Sequence, residues 1–215
     1  MPKPLDLATW PRRAAFEHFS RLSHPYFSLC APMDVSALAE QVKRHPGATL
    51  FLAYHHATLR AANAVEAFRL RLGQGSEQGQ VLLHEQVDGS TTVLRADESI
   101  AFVTLRFEPD FGRFVERALP ALAAAQQAST GLGELSDEPA LLHMTTIPWL
   151  AFSSFSHARN AGGTDSVPKL AFGKITQAAD GRRWMPVAVD VHHALMDGLH
   201  VGRFYAELQA ALSPA

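Results

Sequence analysis

The chain has 215 residues, 47% of them apolar and 19% charged, with 19 Lys and Arg against 21 Asp and Glu and a formal charge of −2. That balance describes one ordinary globular domain over residues 1–215 and argues against a polyanion-binding surface, so no nucleic-acid partner is expected. A single cysteine, Cys30, excludes an internal disulfide framework and a multi-thiolate zinc site, while eleven histidines offer an unusual number of candidate bases and ligands.

The predicted elements begin with a short helix over residues 12–21, where Pro11 suits the first turn and Ala15, Phe16 and Phe19 are apolar. Residues 26–33 alternate as a strand. A helix through Arg44 follows, capped by Asp34 or Ser36, with Val35, Leu38, Ala39 and Val42 at helical spacing until His45-Pro-Gly stops it. Residues 48–67 read as a longer helix. Short strands over 68–72 and 80–84 flank a turn at 73–79, and two more cover 91–94 and 100–107. A long helix over 109–130 has a buried stripe from Phe111, Phe114, Val115, Leu119, Leu122 and Ala125. The C-terminal third reads as strands over 142–147, 149–155, 170–177 and 184–191, with a Gly/Ser/Asp-rich bend at 160–166. A final helix over 199–212 buries Val201, Phe204, Tyr205, Leu208 and Leu212.

Helices and strands mix without regular βαβ alternation, which predicts an α+β fold: two layers, with helices covering a mixed, largely antiparallel sheet. The first residues lack a signal or transit signature, and the apolar runs at 50–54 and 147–152 fall far short of the roughly 20 residues of a membrane helix. A cytoplasmic protein with no membrane partner is expected. No G-x-G-x-x-G, P-loop or G-x-S-x-G is present, so nucleotide hydride transfer, NTP hydrolysis and α/β-hydrolase chemistry lack their usual support.

One segment combines an apolar strand, two adjacent histidines, an Asp-Gly break and an amphipathic helix: Val187 to His200. A strand end is where a rigid scaffold can aim a side chain into a cleft. Adjacent residues of an extended segment point to opposite faces, so His192 and His193 diverge and only one faces a given site. The same divergence argues against a shared metal ion, and no metal is expected. A histidine closing an apolar strand is more often hydrogen-bonded core than catalyst, and Asp197-Gly198 alone is a turn before a helix.

The combination His192-His193-x-x-x-Asp197-Gly198 resembles the active-site block of the chloramphenicol acetyltransferase family, and the likeness runs on to Arg203. Ile147-Pro148-Trp149 with Phe152 and Phe155 is similar to the family's Pro-Trp strand, Phe172-Gly-Lys174 to its Lys-bearing strand, and Trp10-Pro-Arg12-Arg13 with Phe16 to its opening helix. The resemblance implies the family's fold and a direct transfer of acetyl from acetyl-CoA to a hydroxyl of a small acceptor. It makes His193 the general base; an imidazole's ordinary pKa of about 6.5 suits that task.

It also implies Thr145, in place of a serine three residues before the Pro-Trp pair, as oxyanion donor. The resemblance further implies an ion pair between Asp197 and Arg12, with Arg13 as fallback, and a structural role for His192. Lys174 and Trp149 are implied as the coenzyme A contacts, although Lys174 reads equally as an ordinary exposed strand lysine. A homotrimer is implied, with the site between subunits. The acceptor pocket implied by the alignment includes His18, Phe19, Phe155, His157 and Arg159. His157 and Arg159 replace aliphatic residues, which points to a more polar or anionic acceptor than chloramphenicol.

Two further family positions become Thr49, for a lysine, and Ala171, for a threonine. Of the other histidines, His143 shares a predicted strand face with Thr145, His200 reads as structural, His55 and His56 diverge by about 100° on a helix, and His24, His45 and His84 are expected to be solvated. Two other functions remain open: the catalytic core of a dihydrolipoyl acyltransferase, against which the chain has no lipoyl domain, and a non-catalytic binding or assembly module descended from the same fold.

Overall fold

The long helices pack on one face of a central sheet, and the segment that follows residue 146 crosses the other. The computed structural model describes residues 2–128, 131–132, 140–159 and 164–213. In chain order, the elements are β1 (Lys3–Pro4), α1 (Arg13–Phe19), β2 (Tyr26–Asp34), α2 (Leu38–Lys43), α3 (Leu50–Ala64), β3 (Leu70–Leu72), β4 (Val81–Leu83), β5 (Asp88–Leu94), β6 (Ile100–Leu105), α4 (Phe111–Gln127), β7 (Leu141–Thr146), β8 (Lys169–Phe172), β9 (Thr176–Gln177), β10 (Arg183–His192) and α5 (Gly198–Leu212).

The large sheet runs β2-β10-β8-β7-β5-β6, with β9 pairing β10; β1-β4-β3 form a small second sheet. β10 is antiparallel to both β2 and β8, and β5 is antiparallel to β6, whereas β7 is parallel to β5 and to β8. This is the mixed, helix-covered α+β arrangement expected from the sequence.

Period-two alternation decides the faces. On β10, Met185, Val187, Val189 and Val191 join the core with Leu142, Met144, Leu170 and Phe172 from β7 and β8. Helix α3 lies on them, started by Thr49, whose Oγ1 accepts from Leu52 N–H at 3.2 Å. Helix α4 starts on Asp110, whose carboxylate accepts from Arg113 N–H at 2.9 Å. Helix α5 completes the layer by stacking Phe204 on Phe68, with ring centroids 4.3 Å apart.

The alternate residues Ala188, Asp190 and His192 face the other way and are also buried. The chain after β7 crosses this second face. A Cβ on Gly173 would stand 2.5 Å from Pro186 Cγ, 2.9 Å from Leu150 O and 3.0 Å from Phe152, so glycine is what lets that crossing lie close.

Five expectations change, the first being that Leu119, expected in the buried stripe of α4, is exposed. Residues 149–155 are not a strand: Pro148-Trp149 turns, Leu150 N–H donates to Ile147 O, and Leu150 O accepts from Lys174 N–H, so the segment leaves the sheet. The predicted strand 170–177 breaks at Gly173 into β8 and β9. Neither Asp34 nor Ser36 caps α2; the Asp34 carboxylate accepts from Ser36 N–H and Oγ instead. His84 is buried, with its pKa pushed down to about 4 by desolvation and then by Arg71. The predicted ends at 129–130 and most of the bend at 160–166 lie outside the described residues. Among the described residues, no helix is long and apolar enough to cross a membrane.

Because Phe204 and Phe68 are both fully buried, Phe204→Ala is expected to cost about 3–5 kcal/mol. Urea unfolding monitored by circular dichroism checks this. A loss under about 1 kcal/mol would mean that α5 is not anchored there.

Candidate active site

The end of β10 is pinned from three sides. His193 N–H donates to Pro25 O at 2.7 Å. Arg12 Nη2 donates to His193 O at 3.0 Å, and Arg12 Nη1 pairs with Asp197 Oδ2. One guanidinium therefore holds both the backbone of His193 and the residue that caps the next helix. The expected Arg12–Asp197 pair is present, and Arg13 pairs with Glu17 instead.

Asp197 Oδ1 accepts from Leu199 N–H at 3.0 Å and lies 2.9 Å from His200 Nδ1, which completes a capping box at the start of α5. Burial raises the Asp197 pKa, but Arg12 and then His200 outweigh it and hold the carboxylate below its ordinary value. Leu195, inside the turn, is buried with Leu70 and Val81, and Trp10 and Phe16 pack on that group. The N-terminal helix is thus bound to the turn by apolar contact as well as by charge. A cavity of about 290 Å³ lies behind it, against Trp10, Arg12, His200 and Arg203.

The His193 ring is held as firmly as its backbone. Phe19 stacks on it at 3.7 Å between centroids and 9° between planes, and Phe27 tilts against it at 4.6 Å. His18 meets Phe19 edge-on at 4.9 Å. His193 Nδ1 lies 3.1 Å from Met196 O, and a carbonyl can only accept, so Nδ1 carries the proton in that bond. The neutral ring then has its lone pair on Nε2, the state a general base needs. His192 is 1% exposed, and its Nδ1 accepts from Ala194 N–H at 3.2 Å. That is the structural role expected of it.

Thr145 lies elsewhere. It pairs with Ala171 of β8, which pairs with Ala188 of β10, and its Oγ1 is 3.3 Å from Thr92 Oγ1. From Ala188 to His193 is about 16 Å along the strand at 3.3 Å per residue, and two strand spacings add about 10 Å sideways. Thr145 is followed by the Pro148-Trp149 turn, and Lys174 N–H donates to Leu150 O at 2.8 Å, so Thr145, Trp149 and Lys174 share one end of the sheet. Both Trp149, at 64% exposure, and Lys174 are exposed there. His193 and Asp197 occupy the opposite end. A single chain does not bring base and hydroxyl together.

Between these ends, Phe155, His157 and Arg159 lie over Asp190 and Lys169. Arg159 is buried: its Nη2 and Nε hold Asp190 Oδ1 at 2.8 and 3.0 Å, and its Nη1 donates to Asp165 O and Val167 O, both at 3.1 Å. Its guanidinium also covers the Tyr26 ring at 4.4 Å. Lys169 Nζ pairs with Asp165 Oδ2 at 2.8 Å and donates to Ala158 O. Every Arg159 donor is therefore engaged within the chain, and the residue acts as a clamp on β10. Phe155 meets His157 edge-on at 4.8 Å, and desolvation lowers the His157 pKa to about 4.

Tyr26, Asp165, Lys169 and Asp190 were not anticipated, although one carboxylate in the apolar run Val187–Val191 was a readable signal for a buried partner. His55, fully buried, donates Nδ1–H to Phe51 O at 2.8 Å and meets Thr91 Oγ1 at 2.9 Å. His56 donates Nε2–H to Glu108 O at 2.8 Å. Both belong to the core. Among the described residues, no group of three or more His, Cys, Asp and Glu could hold a metal ion.

The family model described as chloramphenicol acetyltransferase matches residues 3–209. The chain belongs to the chloramphenicol acetyltransferase family. It is 31% identical over 213 residues to the chloramphenicol acetyltransferase of Streptomyces acrimycini, covering 99% of this chain and 94% of that one. A solved chloramphenicol acetyltransferase superposes with a TM-score of 0.89 at 24% identity, covering 99% of this chain and all of the other. A dihydrolipoamide acetyltransferase of Azotobacter vinelandii follows at 0.67 and 17% identity, covering 93% of this chain and 86% of that one, a likeness of fold alone.

For this family member, Asp197→Asn separates charge from capping, because asparagine caps a helix about as well as aspartate. Turnover is expected to fall at least tenfold as Arg12 releases His193, with a stability loss of up to about 1 kcal/mol, the scale of a partly exposed ion pair. The wild-type pair contributes above the carboxylate's unfolded pKa of about 3.9 and is lost as pH falls through the lower folded value, so the two melting curves should converge in acid. Equal activity and equal melting at neutral pH would remove the positioning role.

Proposed function

We propose that the chain transfers an acetyl group directly from acetyl-CoA to a hydroxyl of a small acceptor, with His193 as general base. The observation that carries this reading is the His193 ring, held between Phe19 and Phe27 with Nδ1 bonded to Met196 O and Nε2 left as the basic atom. The acceptor hydroxyl gives its proton to Nε2 as its oxygen attacks the thioester carbonyl carbon. The resulting oxyanion takes a hydrogen bond from Thr145 Oγ1. Collapse breaks the C–S bond, the sulfur leaves as thiolate, and the imidazolium returns the proton to it. The acetyl ester and free coenzyme A are the products, and no acyl-enzyme forms.

Coenzyme A would run along Trp149 and Lys174, an exposed aromatic and a cation suited to its apolar parts and its phosphates. The position of the lost family lysine, Thr49, caps α3 instead, so Lys174 is the cation proposed to remain. A homotrimer completes the site: the separation of Thr145 from His193 within one chain supports a base from one copy facing the hydroxyl of the next. His18, Phe19, Phe155 and His157 would border the acceptor, and Arg159 would support that wall from beneath. A single acyltransferase domain over residues 1–215, acting in the cytoplasm, fits this reading. The dihydrolipoyl alternative has only the likeness of fold behind it.

Release of free thiol from acetyl-CoA, followed with a panel of alcohols, tests the reading. His193→Ala should stay folded and lose at least a hundredfold in turnover, the lower end for removing a general base. Near-wild-type turnover in that variant would eliminate His193 as the base. No thiol release with any alcohol would favour the non-catalytic module.

A further inference from the structure

The sheet face that carries Thr145 bears a patch of neutral hydrogen-bonding groups, bordered on β5 and β6 by Phe102, Leu94 and Ile100. Register places Ser90 of β5 beside His143 of β7 and Thr104 of β6, and Thr92 beside Phe102. The Thr92–Thr145 contact at 3.3 Å fixes which face these alternate residues share, because the intervening Thr91, Val93, Val103 and Met144 are buried on the helix side. Ser90, Thr92, Thr104, His143 and Thr145 are all half-buried: they are neither sealed in the core nor spread into solvent.

Each of these groups both donates and accepts hydrogen bonds, and none carries a charge. Desolvation, with Lys169 next, pushes the His143 pKa down to about 4, so its imidazole is neutral at physiological pH. Arg159 pairs with Asp190 and Lys169 with Asp165, while Arg71, the third cation that lowers the His143 pKa, donates to the carbonyls of Phe68, Leu70 and Leu141. The strip therefore presents hydroxyls and a neutral imidazole, with Arg71, Arg159 and Lys169 behind it each hydrogen-bonded within the chain.

We infer that the acceptor is a neutral, hydroxyl-rich molecule, selected by His143, Ser90, Thr92 and Thr104 beside Thr145. This rests on the acetyl-transfer reading and narrows it. An anionic acceptor would give up its hydration and find Arg159 and Lys169 already neutralised, which removes the anionic half of the expectation drawn from the sequence. A flat apolar acceptor would bury the strip's hydroxyls without partners, a mismatch that costs more than a missing methylene does. A polyol or glycoside meets each group with a hydroxyl of its own, donating or accepting as the local geometry asks.

The test compares kcat/KM for acetyl transfer among three sets of alcohols. The first is neutral polyols and alkyl glycosides, the second hydroxy acids and sugar phosphates, and the third chloramphenicol and simple aryl alcohols. The best member of the neutral set should exceed the best of either other set at least tenfold. His143→Phe should reduce its advantage over chloramphenicol at least tenfold, and Ser90→Ala should reduce it in the same direction. Each is a ratio on one protein sample, so partial misfolding cancels.

Turnover in which an anionic or aryl alcohol is best, or a ratio untouched by both variants, overturns the inference and leaves acetyl transfer standing. Thiol release with none of the three sets overturns both.

Discussion

The antiparallel pairing of β10 with β8 is the constraint from which the rest follows. It sends the chain from Ala188, level with Thr145, to His193 at the far end of the sheet. Strand rise and spacing then separate the proposed base from the proposed oxyanion donor by well over a hydrogen bond's reach. No side-chain rotation closes such a gap. The two groups can act on one substrate only across a boundary between copies.

Given that separation, each half must be rigid on its own, and the two are made rigid by different physics. The His193 turn depends on one guanidinium, Arg12, which joins the backbone of the base to the cap of α5, and on two aromatic rings that fix the imidazole plane. The opposite wall depends on buried charge. Arg159 ties the crossing segment to Asp190 of β10, and Asp165 of that segment pairs with Lys169 at the start of β8. Removing one member would leave an unpaired charge away from water, so the arrangement resists loosening more strongly than its net contribution to stability suggests.

What could be read from the sequence follows the same division. Helices α3, α4 and α5 and strands β2, β7 and β10 were legible because their periodicity and their stop signals agree. The His-His-x-x-x-Asp-Gly block led to His193, Asp197 and Arg12, and the structure brings these three together. The segment from Trp149 to Phe155 was misread because an apolar stretch after a strand looks like another strand. Only the turn at Pro148-Trp149 and the tight approach at Gly173 reveal that it leaves the sheet. Arg159 was legible as a cation but not as a clamp, since its partners Asp165 and Asp190 are fixed by tertiary folding. The substrate preference inferred above was the least legible, because a strip made of Ser90, Thr92, Thr104, His143 and Thr145 exists only once three strands are in register.

The central claim is that a working site joins His193 of one copy to Thr145 of another, and subunit mixing tests it directly. Thr145→Ala and His193→Ala chains, each nearly inactive alone, would be co-refolded in equal amounts and assayed for thiol release. Random association pairs an intact His193 with an intact Thr145 at about a quarter of the boundaries, so activity near a quarter of wild type is predicted. A mixture no more active than the average of its two components would contradict a site shared between copies.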